Sequence, residues 1–295
     1  MSELLKMLDC RYPIIQGPIG MFNSPKMVAA VSEAGAYGML ALGFSNPDEV
    51  KKLVDEVRKL TDKPFGANIM LINPHNEKIL ETLAGAGVKA VTTSVGSPKE
   101  IYPIIHDLGM KGIHVVLALQ HAIRAVTAGA DALVVVGSEA GGLRSANSES
   151  STMVLVPLVA DHVKVPLVAA GGISDSRGYR AAFALGAQGV QVGTRFLASN
   201  ESPAGEQWKK AIVECNDGGT DLIPSSNMRT TERIIVTPWI KQKMADPTVK
   251  NIADELDRNP AATGNYERAA FGAGQVSALI KDIKPIKAII EDMIS

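Results

Sequence analysis

Eight short apolar runs alternate with amphipathic stretches at spacings of about 20–30 residues, which predicts an α/β protein, a (β/α)8 barrel of the TIM class with a C-terminal helical cap. Two further observations support this reading. The runs are near-continuous in apolar residues instead of alternating, as strands covered on both faces of a parallel sheet require. Five junctions also read alike: "SEAGAYGMLAL" (32–42), "LAGAGVKAVTT" (83–93), "DLGMKGIHVVL" (107–117), "TAGADALVVV" (127–136) and "ALGAQGVQVG" (184–193). In each, a glycine (Gly35, Gly87, Gly109, Gly129, Gly186) stands where a helix stops in the left-handed conformation before the chain enters a buried strand.

In chain order, the predicted strands are 13–16, 37–42, 64–70, 88–93, 112–119, 131–136, 165–170 and 189–192. Helices are expected between them, among them 24–35, 46–60 and 176–186. Ser24-Pro25 and Asn46-Pro47 mark helix starts, each a capping side chain followed by proline in the first turn. A doubly wound open sheet is the alternative, but it rarely needs eight parallel strands in so even a rhythm. After about residue 200 the rhythm ends: 216–226 and 258–275 read as loops, and 276–294 as a terminal helix interrupted at Pro285. Residues 1–215 are therefore expected to form the barrel, and 216–295 a loop-rich and helical cap within the same domain.

Composition bounds the function. Among 295 residues, 30 Lys and Arg balance 31 Asp and Glu, so no electrostatic footprint argues for nucleic acid or an anionic membrane. The two cysteines, Cys10 and Cys215, are far apart and outside any metal-ligand spacing; two free thiols in a reducing compartment are expected, and no metal. No secretory h-region is visible, and no apolar run approaches the ~20 residues that span a bilayer, so the cytoplasm is the expected location.

In such a barrel the site is built from loops at the C-terminal ends of the strands. The loops after strands seven and eight, "GGISDSR" (171–177) and "GTRF" (193–196), occupy the two places where a phosphate is commonly held. Gly171, Gly172 and Gly193 allow backbone N–H groups to converge on an anion, and Thr194 adds a hydroxyl donor. The competing reading, glycines serving only tight turns, explains two consecutive loops less well.

The stretches "YPIIQGP", "KPFGANIM", "GADALVVVGSEAGG", "TMVLVPLVADHVKVPLVAAGGISDSRG" and "GAQGVQVGTRFLASNES" resemble the nitronate monooxygenase (2-nitropropane dioxygenase) family. That family includes the flavin-dependent enoyl-acyl-carrier-protein reductases of the second kind. The resemblance covers nearly the whole chain, down to "AGQVSALI" (273–280). It implies an FMN-binding barrel acting on a small-molecule or acyl-thioester substrate, with NADH or NADPH as electron donor, and it is compatible with a homodimer. By resemblance, Gly17 lies beside the flavin ring and Asn68 hydrogen-bonds it. Gly141 and Gly142 let backbone approach the cofactor, and Gly172, Gln191, Val192, Gly193 and Thr194 bind its phosphate side. For Asn68 the competing role is a strand-end amide capping a neighbouring loop.

Two departures stand out. Family members usually read Glu-Ala-Gly-Gly-His, with that histidine the candidate base or proton donor; here the position is Leu143. A polar residue often found just before the preceding glycine is here Val136. Neither replacement can move a proton, so the catalytic residue is left unassigned, and Leu143 is expected to wall an apolar pocket or shield the flavin. Candidates to take over are His75 and His121, read as lying in loops after the third and fifth strands, together with Glu139, Arg144 and Ser145. Each has a structural alternative: surface or capping histidines, a Glu139 that fixes its loop, a solvated Arg144. His106, His114 and His162 are read as structural.

Overall fold

The computed structural model describes residues 2–20, 23–147, 149–224 and 230–295. The strands are β1 (Ile14–Gln16), β2 (Gly38–Ala41), β3 (Phe65–Met70), β4 (Ala90–Ser94), β5 (Lys111–Val116), β6 (Ala132–Val136), β7 (Gly142–Ser145), β8 (Leu167–Ala170), β9 (Gly189–Val192), β10 (Thr220–Pro224) and β11 (Thr230–Ile235). The helices are α1 (Glu3–Leu8), α2 (Pro25–Glu33), α3 (Pro47–Leu60), α4 (Asn76–Gly85), α5 (Ile101–Asp107), α6 (Leu119–Thr127) and α7 (Thr152–His162). They continue as α8 (Ser176–Ala184), α9 (Thr194–Leu197), α10 (Glu206–Glu214), α11 (Pro238–Met244), α12 (Pro260–Thr263) and α13 (Ile286–Ile294).

Eight of the strands form one parallel sheet in the order β1-β9-β8-β6-β5-β4-β3-β2. The parallel bridge between Ile15 and Tyr37 closes it into the expected barrel. All eight predicted runs contain a barrel strand, and the five junction glycines take positive φ, from +72° at Gly109 to +104° at Gly129. Ser24 and Asn46 cap α2 and α3 through their side chains, with proline in the first turn.

Strand alternation sorts the core into two layers. Ile14, Leu40, Val91, Leu133, Val135, Ala169 and Val190 face outward against the helices. Ile15, Tyr37, Met39, Ile113, Val134 and Val168 fill the barrel interior together with Leu4 and Leu8 of α1, which closes the lower end. The Tyr37 hydroxyl spans that interior and donates to the carbonyl of Ala90 at 2.8 Å. Both cysteines are free, and burial pushes the Cys10 thiol up to about 12.

Three segments differ from the sequence reading. The loop expected at 137–151 contains β7, which joins β10 and β11 in a second, antiparallel sheet ordered β10-β11-β7. Within the stretch 216–226, β10 occupies 220–224, while 225 and 226 lie outside the described residues. The segment 276–294 is not one interrupted helix: a 3-10 turn at Gln275–Leu279 gives way to extended chain, in which Lys284 bridges Ser199, and α13 then begins behind Pro285. Proline at its boundary starts the second helix instead of kinking a single one.

Candidate active site

The upper end of the barrel opens into a cavity of about 1400 Å³. Its floor is made by inward residues at the strand ends, including Ala41, Asn68, Met70, Ser94, Val136, Ala170 and Gln191. Its far wall comes from β7, β11 and the segment 270–276, which is tied back to the barrel by the N–H of Gln275 donating to the carbonyl of Glu139 at 2.9 Å. Gly274 packs so closely on Glu139 that a Cβ there would lie 2.7 Å from its carbonyl oxygen.

Most residues expected around the cofactor line this cavity: Gly17, Asn68, Gly141, Gly142, Gly171, Gly172, Gln191, Gly193 and Thr194. Gly17 donates its N–H to the carbonyl of Val192 at 2.8 Å, and a Cβ there would lie 3.1 Å from Cα of Gly193. Gly141 abuts the backbone of Ala273 and Gly274, leaving no room for a side chain. Gly171 and Gly172 take φ of +99° and +74°, which turns the backbone sharply beside the cavity. Gly193 precedes α9 without a side-chain cap, and no atom stands within 4 Å of where its Cβ would be. The Thr194 hydroxyl oxygen accepts from the N–H of Gly274 at 3.0 Å, so its proton is still available to be donated. By contrast, α8 is capped by the Asp175 carboxylate, which accepts from the N–H of Arg177 and Gly178.

Val192 is a correction. Its side chain is buried in the outer core, and it contributes only its carbonyl, to Gly17. Period-two alternation dictates this, because Gln191 and Gly193 face the cavity and the residue between them must face away. Asn68 is buried and donates to Thr92 Oγ1 at 2.9 Å, while its Oδ1 accepts from Ser94 Oγ at 3.3 Å.

The proton-transfer candidates separate by position. His75 is corrected: it is exposed at the start of α4, does not line the cavity, and its backbone N–H donates to Asn73 Oδ1. His121 is also corrected, since it lies on α6 and not in a loop, although it does line the cavity. Glu139 lines the cavity, but its carboxylate accepts from the N–H of Thr152 at 2.9 Å and from its hydroxyl at 3.1 Å, anchoring the first turn of α7. Arg144 is not a solvated arginine: it is 2% exposed, is ion-paired with Glu149, and donates to the carbonyl of Gly137 at 2.9 Å. The N–H of Ser145 donates to the same Glu149 carboxylate at 2.7 Å. Leu143 is 51% exposed, on the rim and not inside the barrel. Val136 is buried at the floor.

His114 was read as structural from its strand, yet it lines the cavity while 6% exposed. Its Nδ1 lies 2.8 Å from Thr93 Oγ1, itself 3.0 Å from the Tyr102 hydroxyl. Burial, with His121 nearby, pushes its pKa down to about 4, so the ring is neutral. Trp208, Glu232 and Arg258 also line the cavity and were not foreseen. They come from the tail, and only the alternation of "TTERII" in β11 hints at a structured element there.

The nitronate monooxygenase family model matches residues 1–295. The chain belongs to the nitronate monooxygenase family. A probable nitronate monooxygenase of Staphylococcus aureus is 31% identical over 100% of this chain and 96% of its own length. That of Bacillus subtilis is 29% identical over 99% and 98%. FabK from Thermotoga maritima is structurally similar with a TM-score of 0.88 at 36% identity, covering 99% of this chain and 94% of that one. A nitroalkane oxidase from Streptomyces ansochromogenes gives 0.85 at 26% identity, covering 99% and 96%. This member of the nitronate monooxygenase family is thus an oxidoreductase, and its glycine-lined cavity lies at the C-terminal ends of the barrel strands. Among the described residues no cluster of three or more His, Cys, Asp or Glu could hold a metal ion, and no helix is long and apolar enough to cross a membrane.

Proposed function

We propose that the protein is an FMN-dependent oxidoreductase that takes reducing equivalents from NADH or NADPH and reduces an activated double bond, such as that of an enoyl thioester. The residues present fit a flavin. Gln191 Oε1 is buried beside the cavity with no hydrogen-bond partner among the described residues, an acceptor suited to a ring N–H. Gly172, Gly193 and Thr194 offer donors to a phosphate, and the open space at Gly193 lets it approach. When bound, FMN supplies the hydride chemistry, and the protein supplies position and exclusion of water.

The observation that carries the reductase reading is Leu143. At the rim position where the family places its histidine, the chain offers an apolar surface, which favours an apolar substrate over one that must be met by a base. The 36% identity with FabK, an enoyl-acyl-carrier-protein reductase, against 26% with the nitroalkane oxidase supports the same reading. The second reading, oxidation of alkyl nitronates with oxygen, is favoured by the family itself. Anaerobic reduction of the bound flavin by each nicotinamide, followed by reoxidation with oxygen, a nitronate or an enoyl thioester, separates the two. Reoxidation by the thioester is the expected result. A protein purified without colour, or a flavin that no nicotinamide bleaches, would overturn the proposal.

A further inference from the structure

The cavity extends beyond the glycine-lined cradle. It continues over the outer side of β5 as a recess lined by Lys99 from the β4–α5 turn, by His121, Arg124 and Thr127 of α6, and by His114. Residues 121, 124 and 127 repeat at the spacing of one helical turn, so they form a single stripe along α6. Strand alternation places Ile113 inside the barrel and His114 outside it, at the bottom of this recess.

Charge pairing singles the recess out. Four Lys and Arg residues line the cavity among the described residues: Lys99, Arg124, Arg144 and Arg258. Arg144 is held by Glu149 and Arg258 by Glu232, whereas Lys99 and Arg124 have no carboxylate partner among the described residues. The two carboxylates that line the cavity, Glu139 and Glu232, are engaged by Thr152 and Arg258. His114 adds an independent observation. Its Nδ1 is taken up by Thr93, but its Nε2 has no partner among the described residues, although the residue is more than nine-tenths buried. The ring is enclosed but this nitrogen faces the open recess, where a ligand or a water meets it.

We propose that this recess binds the phosphate or pyrophosphate arm of the substrate that enters the barrel mouth. Reduced nicotinamide dinucleotides and phosphopantetheinyl thioesters share that chemistry: each has a flat or apolar reactive end and a long anionic tail. Elsewhere the mouth is bordered by the exposed apolar side chains of Phe44, Val95 and Leu143, which offer an anion nothing. A guanidinium and an ammonium flanking one recess supply charge-assisted donors where the tail must lie. The owner of the arm rests on the proposed reductase reading; the anion site itself does not.

The test uses the flavin-loaded protein and inorganic pyrophosphate as probe, titrated calorimetrically, so that no turnover is needed. Lys99 and Arg124 are exposed, so Lys99→Gln and Arg124→Gln should fold normally, which a thermal melt verifies. Wild-type protein should bind pyrophosphate, and each variant should weaken it roughly tenfold, the effect of losing one charge-assisted hydrogen bond. Parallel titrations with NADP⁺, NAD⁺ and coenzyme A name the owner: the ligand whose affinity falls with the variants is the one whose arm occupies the recess. Absence of pyrophosphate binding to wild type, or equal binding to wild type and both variants, overturns the proposal. So does a loss of pyrophosphate binding with no change for any of the three larger ligands. A flavin that no nicotinamide reduces would sink the reductase reading while leaving this result standing.

Discussion

Leu143 and Glu232 face each other across the antiparallel pairing of β7 with β11, and Glu232 is ion-paired with Arg258. The position where the family carries its histidine therefore lies opposite a carboxylate that already has a cation. A histidine placed at 143 would be drawn to that carboxylate and held protonated, because directly opposed cross-strand side chains interact and an opposite charge favours the charged form. It would also put a polar ring where an apolar substrate needs contact. Leu143→His is expected to lower kcat/KM for an enoyl thioester by an amount corresponding to about 1–3 kcal/mol. Steady-state kinetics with the thioester and with a nitronate check this; a gain with either and a loss with neither would refute it.

Gly193→Asp should abolish flavin retention. No atom lies within 4 Å of the new Cβ and φ is −107°, so neither a clash nor backbone strain accompanies the change, and the added negative charge alone acts on the phosphate. The measurement is the flavin absorbance per protein after gel filtration, with the thermal midpoint of the stripped wild type as reference. Full occupancy would remove the phosphate from this loop. Asn68→Ala should weaken flavin binding less, since one hydrogen bond contributes about 0.5–1.5 kcal/mol net.

Arg144→Met should cost about 3–5 kcal/mol of stability, because it leaves the Glu149 carboxylate buried without its cation and the carbonyl of Gly137 without its donor. Denaturant unfolding of the single variant and of Arg144→Met combined with Glu149→Gln checks the cause. The double variant should recover part of the loss, and an Arg144→Met protein as stable as wild type would show that the pair contributes nothing.

Stability should fall as the pH drops from 6.5 towards 4. His114 has its ordinary value of 6.5 when unfolded but about 4 when folded, so in that window the unfolded chain binds the extra proton and is favoured. Above pH 6.5 the full stabilisation is present, and below about 4 up to about 3 kcal/mol is gone. Asp131 acts lower. Burial raises its pKa, but Lys111, the N–H of Gly112 and His106 outweigh burial and hold it below 3.8, so its contribution is lost only as the pH falls below that value. Unfolding free energies from pH 7 to 4 should therefore flatten in His114→Gln; an unchanged slope would exclude His114 as the cause.

The barrel was legible because its signals are local and repeated: a glycine that ends each helix, then a run of apolar residues buried on both faces. The place of Gly171, Gly172 and Gly193 at the cavity was legible for the same reason, since they stand at fixed offsets from two recognisable strands. Val192 was misplaced because a motif names consecutive residues, whereas a strand turns alternate ones away. The far wall was hidden for a different reason. β7 is four residues opening on a glycine, and its partner β11 lies 85 residues further on, so their pairing has no local signature. Glu232 reaches the cavity through that pairing and Arg258 through its ion pair with Glu232, while Trp208 of α10 is placed by Phe271 and Gly272.

With Leu4 and Leu8 stopping the lower end of the barrel, the cavity among the described residues opens at the upper rim. On the proposed reductase reading, electron donor and acceptor both have to reach the floor through that rim. That reading expects the electron donor to depart before the acceptor takes its place, a turnstile and not a meeting of three molecules. Initial rates measured at several fixed acceptor concentrations should then give parallel double-reciprocal lines, and each substrate at high concentration should inhibit by occupying the doorway meant for the other.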